Sequence, residues 1–199
     1  MSDKQSTSQK AQAAQFESYA LASGARVTRV SSASAVAEIV TPTAGASVKC
    51  AAAVRDRFPA VWQALLSRSN ALPVVEDIAI SEPAPSALAT KLAGDAGLVV
   101  ARAGVAETGS VLLADDALAP RLLSMLSETC FVLLPSSAIL PDLDAVGALI
   151  DRLSAAGHRY MSLVTGPSRT ADIERVLTIG VQGPKVLHVL ILMEDQDAG

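Results

Sequence analysis

Short aliphatic runs with no polar interruption set the tightest limit on the fold of this chain. Leu98-Val-Val100, Cys130-Phe-Val-Leu-Leu134 and Val189-Leu-Ile-Leu-Met193 carry no polar position that could face water. They fall far short of the ~20 apolar residues that a membrane-spanning helix requires. As strands they must be covered on both faces, which is the signature of a parallel sheet between helical layers. Aromatic residues make up only 3% of the chain while hydrophobic residues make up 50%, so Ala, Val, Leu and Ile supply the core. At 199 residues the simplest organisation is one domain that buries roughly 70% of its unfolded surface.

The first ten residues are polar and are expected to form a flexible tail, leaving 11–199 as a single domain. Ala13, Phe16, Tyr19 and Ala20 have amphipathic helical spacing, ended by Gly24. Arg26–Val30 reads as a strand, and Ser32 or Ser34 caps a helix that runs toward Val40. Val48–Val54 is strand-like. Helices are predicted over Phe58–Ser67, with Trp62 on the packed face, and over Pro83–Gly94. Two strand-like arms within Gly97–Ala114 flank a turn at Glu107-Thr-Gly109. A strand at Thr129–Leu134, a helix at Leu143–Ala156, a strand at Tyr160–Thr165, a helix at about Ser168–Ile179 and a strand at Val186–Met193 complete the pattern. That alternation predicts parallel βαβ units and a single-domain, three-layer α/β/α sandwich with a mainly parallel sheet.

Several function classes are disfavoured. The net charge is −4 and the one dense basic cluster, Arg55-Asp56-Arg57, carries its own acid, so nucleic acid is a poor partner. The polar N-terminus has no apolar signal core, and the expectation is a cytoplasmic protein without a membrane span. Cys50 and Cys130 are far apart among apolar neighbours, which predicts buried free thiols. Two cysteines cannot hold a four-thiolate iron–sulfur cluster. No C-x-x-C, H-E-x-x-H, G-x-G-x-x-G or Walker loop occurs, and no metal site or cofactor is expected in this chain.

Residues 161–180 carry the strongest local chemistry. They read as a strand, a tight turn and a helix that opens from the turn, which would aim unpaired N–H groups and a positive dipole end at an anion. Gly166 permits close backbone approach, and Ser168 or Thr170 can cap the helix. Arg169 adds a charge able to clamp a carboxylate or phosphate, and Asp172 orients the loop. A capped helix in which Arg169 pairs with Asp172 or Glu174 accounts for the same residues without a ligand.

Ala106-Glu-Thr-Gly109, Thr165-Gly-Pro-Ser-Arg-Thr-Ala-Asp-Ile-Glu174 and Gly180-Val-Gln-Gly-Pro184 resemble the signature blocks of the LUD-domain family, in its lactate-utilisation protein C type. The resemblance covers about residues 95–193. It implies an α/β/α fold related to ribose-5-phosphate isomerases, CoA-transferases and 5-formyltetrahydrofolate cyclo-ligases. It also implies a subunit of a system that oxidises L-lactate to pyruvate, with iron–sulfur clusters on partner subunits. On this basis Thr108, Gly109, Thr165, Gly166, Ser168, Arg169, Thr170, Asp172, Gln182 and Gly183 are candidate ligand-binding residues, and the three blocks are expected to meet at one pocket. Gln182 stands where the family often has His, so this position cannot titrate near neutrality.

The alternative is a stand-alone enzyme on the same fold, acting on an acyl-CoA, folate or sugar phosphate. Glu107 would then be its reactive carboxylate, as a loop glutamate is in the related CoA-transferases; a polar turn explains Glu107 equally. Gly166-Pro-Ser168-Arg-Thr170 only half-matches a nucleophile elbow, because Thr replaces the last glycine. His188 sits in an apolar strand as a hydrogen-bonded core or interface residue, and His158 suits a helix end. Asp115-Asp116 reads as a solvated loop.

Overall fold

A computed structural model describes residues 2–43, 48–68, 74–75, 94–171, 177–179 and 183–193. Its main sheet has six strands in the order β1-β12-β7-β4-β2-β3: Arg26–Val30, Val186–Leu192, Ser127–Pro135, Gly94–Val100, Val48–Ala51 and Val74–Val75. Every pairing in it is parallel. The aliphatic runs alternate their side chains between two buried faces, as a fully covered sheet requires. Leu98, Val100, Phe131, Leu133 and Leu190 point to one face, where they meet Val36, Ala37 and Val40 of α2 (Ala33–Thr43). Val54 of α3 (Ala52–Arg57) and Val61 and Leu65 of α4 (Pro59–Arg68) complete this layer, with Trp62 half-buried against it.

Val99, Cys130, Val132, Leu134, Val189 and Ile191 point the other way. There they pack on Ala13, Phe16 and Ala20 of α1 (Ser2–Ala22) and on Ala119 and Leu123 of α5 (Leu118–Leu126). The protein is therefore an α/β structure with a mainly parallel central sheet and helices on both faces. Cys50 and Cys130 are free and buried, and burial pushes both thiols up to about 12.

A second, four-stranded sheet lies beyond α1, in the order β8-β5-β6-β9: Ile139–Leu140, Ala103–Val105, Ser110–Ala114 and Met161–Val164. Its inner face adds Val111, Leu113 and Ile139 to the cluster around α1. Its outer face carries Ala103, Val105 and Leu112, covered by Val146, Leu149 and Leu153 of α6 (Leu143–Ala155). Asp142 starts α6 by accepting the Ala145 N–H at 2.8 Å.

Four expectations change here. The first hairpin arm is split: β4 joins the main sheet, while β5 pairs antiparallel with β6 around the expected turn in the second. The strand expected at 160–165 is not part of a parallel βαβ unit; β9 pairs antiparallel with β6. The tail expected over 1–10 is helical from Ser2, and the buried stripe of α1 is Ala13, Phe16 and Ala20, with Tyr19 exposed. The helix expected over 168–179 is replaced by an antiparallel pair, β10 (Arg169–Ala171) and β11 (Leu177–Ile179), in which Thr170 faces Thr178. β-Branched residues in these strands favour the extended ladder over a helix. Apart from Gly94, which opens β4, the helix expected over 83–94 lies outside the described residues.

Candidate functional site

Two glycine turns hold the carboxyl end of α1. Gly109 has φ 66°, and a Cβ there would lie 2.1 Å from the Ala20 nitrogen. Gly166 has φ 70°, and its Cβ would lie 2.3 Å from the Ser23 carbonyl oxygen. Only glycine satisfies both the left-handed backbone and the contact. Arg169 extends from the next strand and donates to the same Ser23 carbonyl. An exposed carbonyl at a helix end is a natural partner for a cation.

The loops between these points are joined through hydroxyls. Ser110 Oγ, almost fully buried, lies 2.8 Å from Thr108 Oγ1 and 2.6 Å from Thr165 Oγ1. The Ser168 N–H donates to the Pro184 carbonyl at 2.9 Å, and a Cβ on Gly183 would touch the Ser168 side chain. Residues from all three sequence blocks are thus drawn together, though not as a helix N-terminus. The Ser168 N–H is already bonded to Pro184, and residues 169–171 enter the β10–β11 ladder. The proposed nest of convergent N–H groups is absent among the described residues, and Arg169 meets the end of α1. Asp172, Gly180, Gln182 and the Thr170 side chain lie outside the described residues.

Glu107 is turned to a different task. Its Oε1 accepts the Leu143 N–H at 2.7 Å, at the start of α6, and its own N–H donates to Pro141. This places a carboxylate where the helix dipole favours negative charge. Neither Glu107 nor Thr108 lines the adjoining cleft.

That cleft has a volume of about 1040 Å³ and lies along β9, α5 and the 165–169 turn. Thr165, Gly166, Ser168, Arg169 and Gly183 line it. It also collects Arg121, Arg159 and Tyr160, none of which lies in the three sequence blocks. The Arg121 guanidinium carbon sits 3.7 Å from the Tyr160 ring centroid, a stacking distance. Against three arginines the described lining offers one carboxylate, Asp115. Burial raises the Asp115 carboxyl above its ordinary range, Arg102 opposes that effect and Asp116 adds to it. In a chain of net charge −4 the cleft is a local concentration of positive charge suited to an anion. Arg121 and Arg159 are 38 positions apart by their numbers and share no motif, so only tertiary structure reveals them.

Asp116 is not simply a solvated partner of Asp115. It accepts the Arg159 N–H at 2.7 Å and contacts His158 Nδ1 at 2.6 Å. The Arg159 N–H is the main cause holding its carboxyl below the usual range, with His158 and the Tyr160 N–H assisting and partial desolvation opposing. His188 bonds Thr28 Oγ1 at 2.9 Å and stacks at a tilt on Phe131, consistent with a packed, hydrogen-bonded histidine. Among the described residues no group of three or more His, Cys, Asp or Glu is placed to hold a metal, and no helix is long and apolar enough to cross a membrane.

The LUD domain model matches residues 13–192. The chain belongs to the LUD domain family. Lactate utilization protein C 1 of Bacillus mycoides (strain KBAB4) is 37% identical over 107 residues, 52% of this chain and 45% of that protein. Lactate utilization protein C of Bacillus subtilis (strain 168) is 33% identical over 99 residues, 48% of this chain and 41% of that protein. These matches span less than half the length of either relative. The crystal structure of a DUF162 family protein from Deinococcus radiodurans superposes with a TM-score of 0.63, covering 92% of this chain and 98% of that one. At 20% identity this likeness is one of fold.

Proposed function

We propose that this chain is a subunit of an L-lactate utilisation system, which binds an anionic ligand while iron–sulfur partner proteins carry the electrons. The observation that carries the reading is the arginine-lined cleft in a LUD domain whose relatives bear the lactate-utilisation name. Arg121 and Arg159 supply charge from α5 and from the approach to β9, and the serine and threonine hydroxyls at 165–168 supply neutral donors. Arg169 is anchored at one end by Ser23 and keeps donors for a ligand, since a guanidinium carries five N–H groups.

The test is reconstitution with the iron–sulfur partners. Lactate-dependent reduction of an electron acceptor should require this chain, and the purified chain alone should not turn over L-lactate. Arg169→Ala should weaken anion binding by about 1.5–3 kcal/mol, the worth of a hydrogen bond to a charged group. Lactate turnover by the chain alone, or growth on lactate after deletion of its gene, would refute the assignment.

Cleft size favours a second reading. About 1040 Å³ is at the upper end of drug-sized sites and far exceeds what lactate fills. A phosphate-bearing cofactor or an acyl-CoA, folate or sugar-phosphate substrate would use more of it. Glu107 is a poor nucleophile for such an enzyme, because its carboxylate is engaged by Leu143 outside the cleft lining.

A further inference from the structure

The large cleft lies beside the amino ends of β1 and β12, since Ser23 and Pro184 precede those strands. Open parallel sheets bind ligands at the opposite edge, beyond the carboxyl ends of their strands. A second cavity is found there, of about 220 Å³, where β2 ends at Ala51 and the chain leaves β4 at Arg102. It has room for roughly seven waters at their liquid volume, the scale of a short-chain acid with its solvent. Ala51, Ala114 and Ala117 give it small apolar walls, and its polar groups are Arg102, Asp115, Asp116 and His158.

Two of the polar groups are held in place by their neighbours. The Arg102 backbone N–H is fixed to Leu112 at 2.8 Å, between the two sheets, while its guanidinium makes no ion pair among the described residues. Arg102 and Arg57 both exert their charge on Asp115. An ionised Asp116 can only accept hydrogen bonds, so the proton of a neutral His158 ring lies on Nδ1, toward Asp116. Nε2 is then left with its lone pair, and it has no partner among the described residues. A planar cation able to grip a carboxylate therefore shares a small, partly apolar cavity with an oriented imidazole, its charge partly offset by Asp115 on the same lining.

We propose that this cavity binds a short 2-hydroxy- or 2-oxocarboxylate, with the carboxylate on Arg102 and the neighbouring oxygen on His158 Nε2. A hydroxyl donates to the lone pair of Nε2, whereas a keto oxygen accepts from Nε2 only when both ring nitrogens carry protons. The alanine walls accommodate a methyl. The placement rests on this cavity alone; the choice of L-lactate and pyruvate as probes rests on the lactate-utilisation reading.

The experiment is titration of the full-length purified chain with L-lactate, pyruvate and propionate, followed by calorimetry and by the histidine ring signals in NMR. Saturable binding of lactate or pyruvate is expected, with shifts at the His158 ring. Arg102→Gln should weaken binding roughly tenfold or more. Arg102→Lys, which keeps the charge and loses the fork, should fall between, and Arg152→Gln, at an exposed position of α6, should change nothing. His158→Gln should abolish the preference for lactate over propionate while retaining carboxylate binding, which keeps the test decisive if Arg102→Gln does not fold. The site is overturned if a folded Arg102→Gln or Arg102→Lys variant binds as well as the parent. It is also overturned if no saturable binding occurs up to about 50 mM. Weakening by Arg121→Gln or Arg169→Gln in place of Arg102→Gln would move the acid to the larger cleft, refuting this cavity and leaving the lactate reading intact.

Discussion

Replacing Gly109 by alanine should be among the most damaging single-methyl additions in this protein. Gly109 is buried and has φ 66°, and the new Cβ would face the Ala20 nitrogen at 2.1 Å and the Tyr19 carbonyl carbon at 2.5 Å. Both are backbone atoms of α1, so no side-chain rotation relieves the overlap. The left-handed backbone costs roughly 1–2 kcal/mol for an L-residue. Overpacking against a rigid neighbour adds about 1–3 kcal/mol. A total of about 2–5 kcal/mol would lower the thermal midpoint by roughly 4–20 °C in a domain of this size. Two controls separate these contributions. Gly157 also has a positive φ, 99°, but a Cβ there meets nothing within 4 Å, so Gly157→Ala should lose only the backbone share. Gly147 lies within α6 with open space around it, and Gly147→Ala should gain about 0.5–1 kcal/mol. Urea unfolding at constant m-value gives all three changes. If Gly109→Ala costs no more than Gly157→Ala, the close grip of the turn on α1 is wrong.

His188 should make stability sensitive to acid. Its folded pKa is lowered from 6.5, first by burial and then by Arg26, so its contribution is present above about pH 6.5 and is lost as pH falls through the folded value. His188→Gln should flatten the urea midpoint between pH 7.5 and 5.5 relative to the parent, and an unchanged slope would contradict this. Glu107→Gln keeps an acceptor for Leu143 but removes charge from the start of α6. It should cost roughly 0.3–1 kcal/mol of stability and leave reconstituted lactate oxidation within a few-fold; abolished turnover would restore the glutamate as a nucleophile.

The central sheet was legible because Cys130–Leu134 and Val189–Met193 have no polar face, and only a doubly covered parallel strand accepts such a run. Its neighbours were not legible in the same way. Met161–Val164 is largely apolar as well, with Ser162 its one polar residue, yet it pairs antiparallel with Ser110–Ala114 at the edge of a second sheet. Apolar content identifies a strand but not the strand beside it. The segment at 168–179 failed for a related reason. Ser168, Thr170, Asp172 and Glu174 are good helix-start residues in isolation, but the Ser168 N–H goes to Pro184 and Arg169 pairs with Ile179. Tertiary hydrogen bonding outweighed local capping, whose worth is only about 1 kcal/mol.

The same tension runs through the site. Gly109, Gly166 and Arg169 stand out in the sequence as loop chemistry, and all three act on the last turn of α1. Phe16, in that helix, is buried in the cluster between the two sheets, so anchoring its carboxyl end helps fix how the sheets face each other. The cleft inherits its shape from that arrangement, because β9 of the small sheet forms one wall and α5 on the large sheet forms another. Gly109 and Gly166 therefore act as architecture, Arg169 both anchors α1 and lines the cleft, and much of the cleft's charge comes from Arg121 and Arg159, which carry no motif. A substitution at Gly109 should thus disturb the cleft without touching it, whereas one at Arg121 should alter ligand binding with little effect on the fold. Measuring stability and anion affinity on both variants separates the two kinds of residue: equal losses of affinity at equal stability would show that Gly109 contacts the ligand after all.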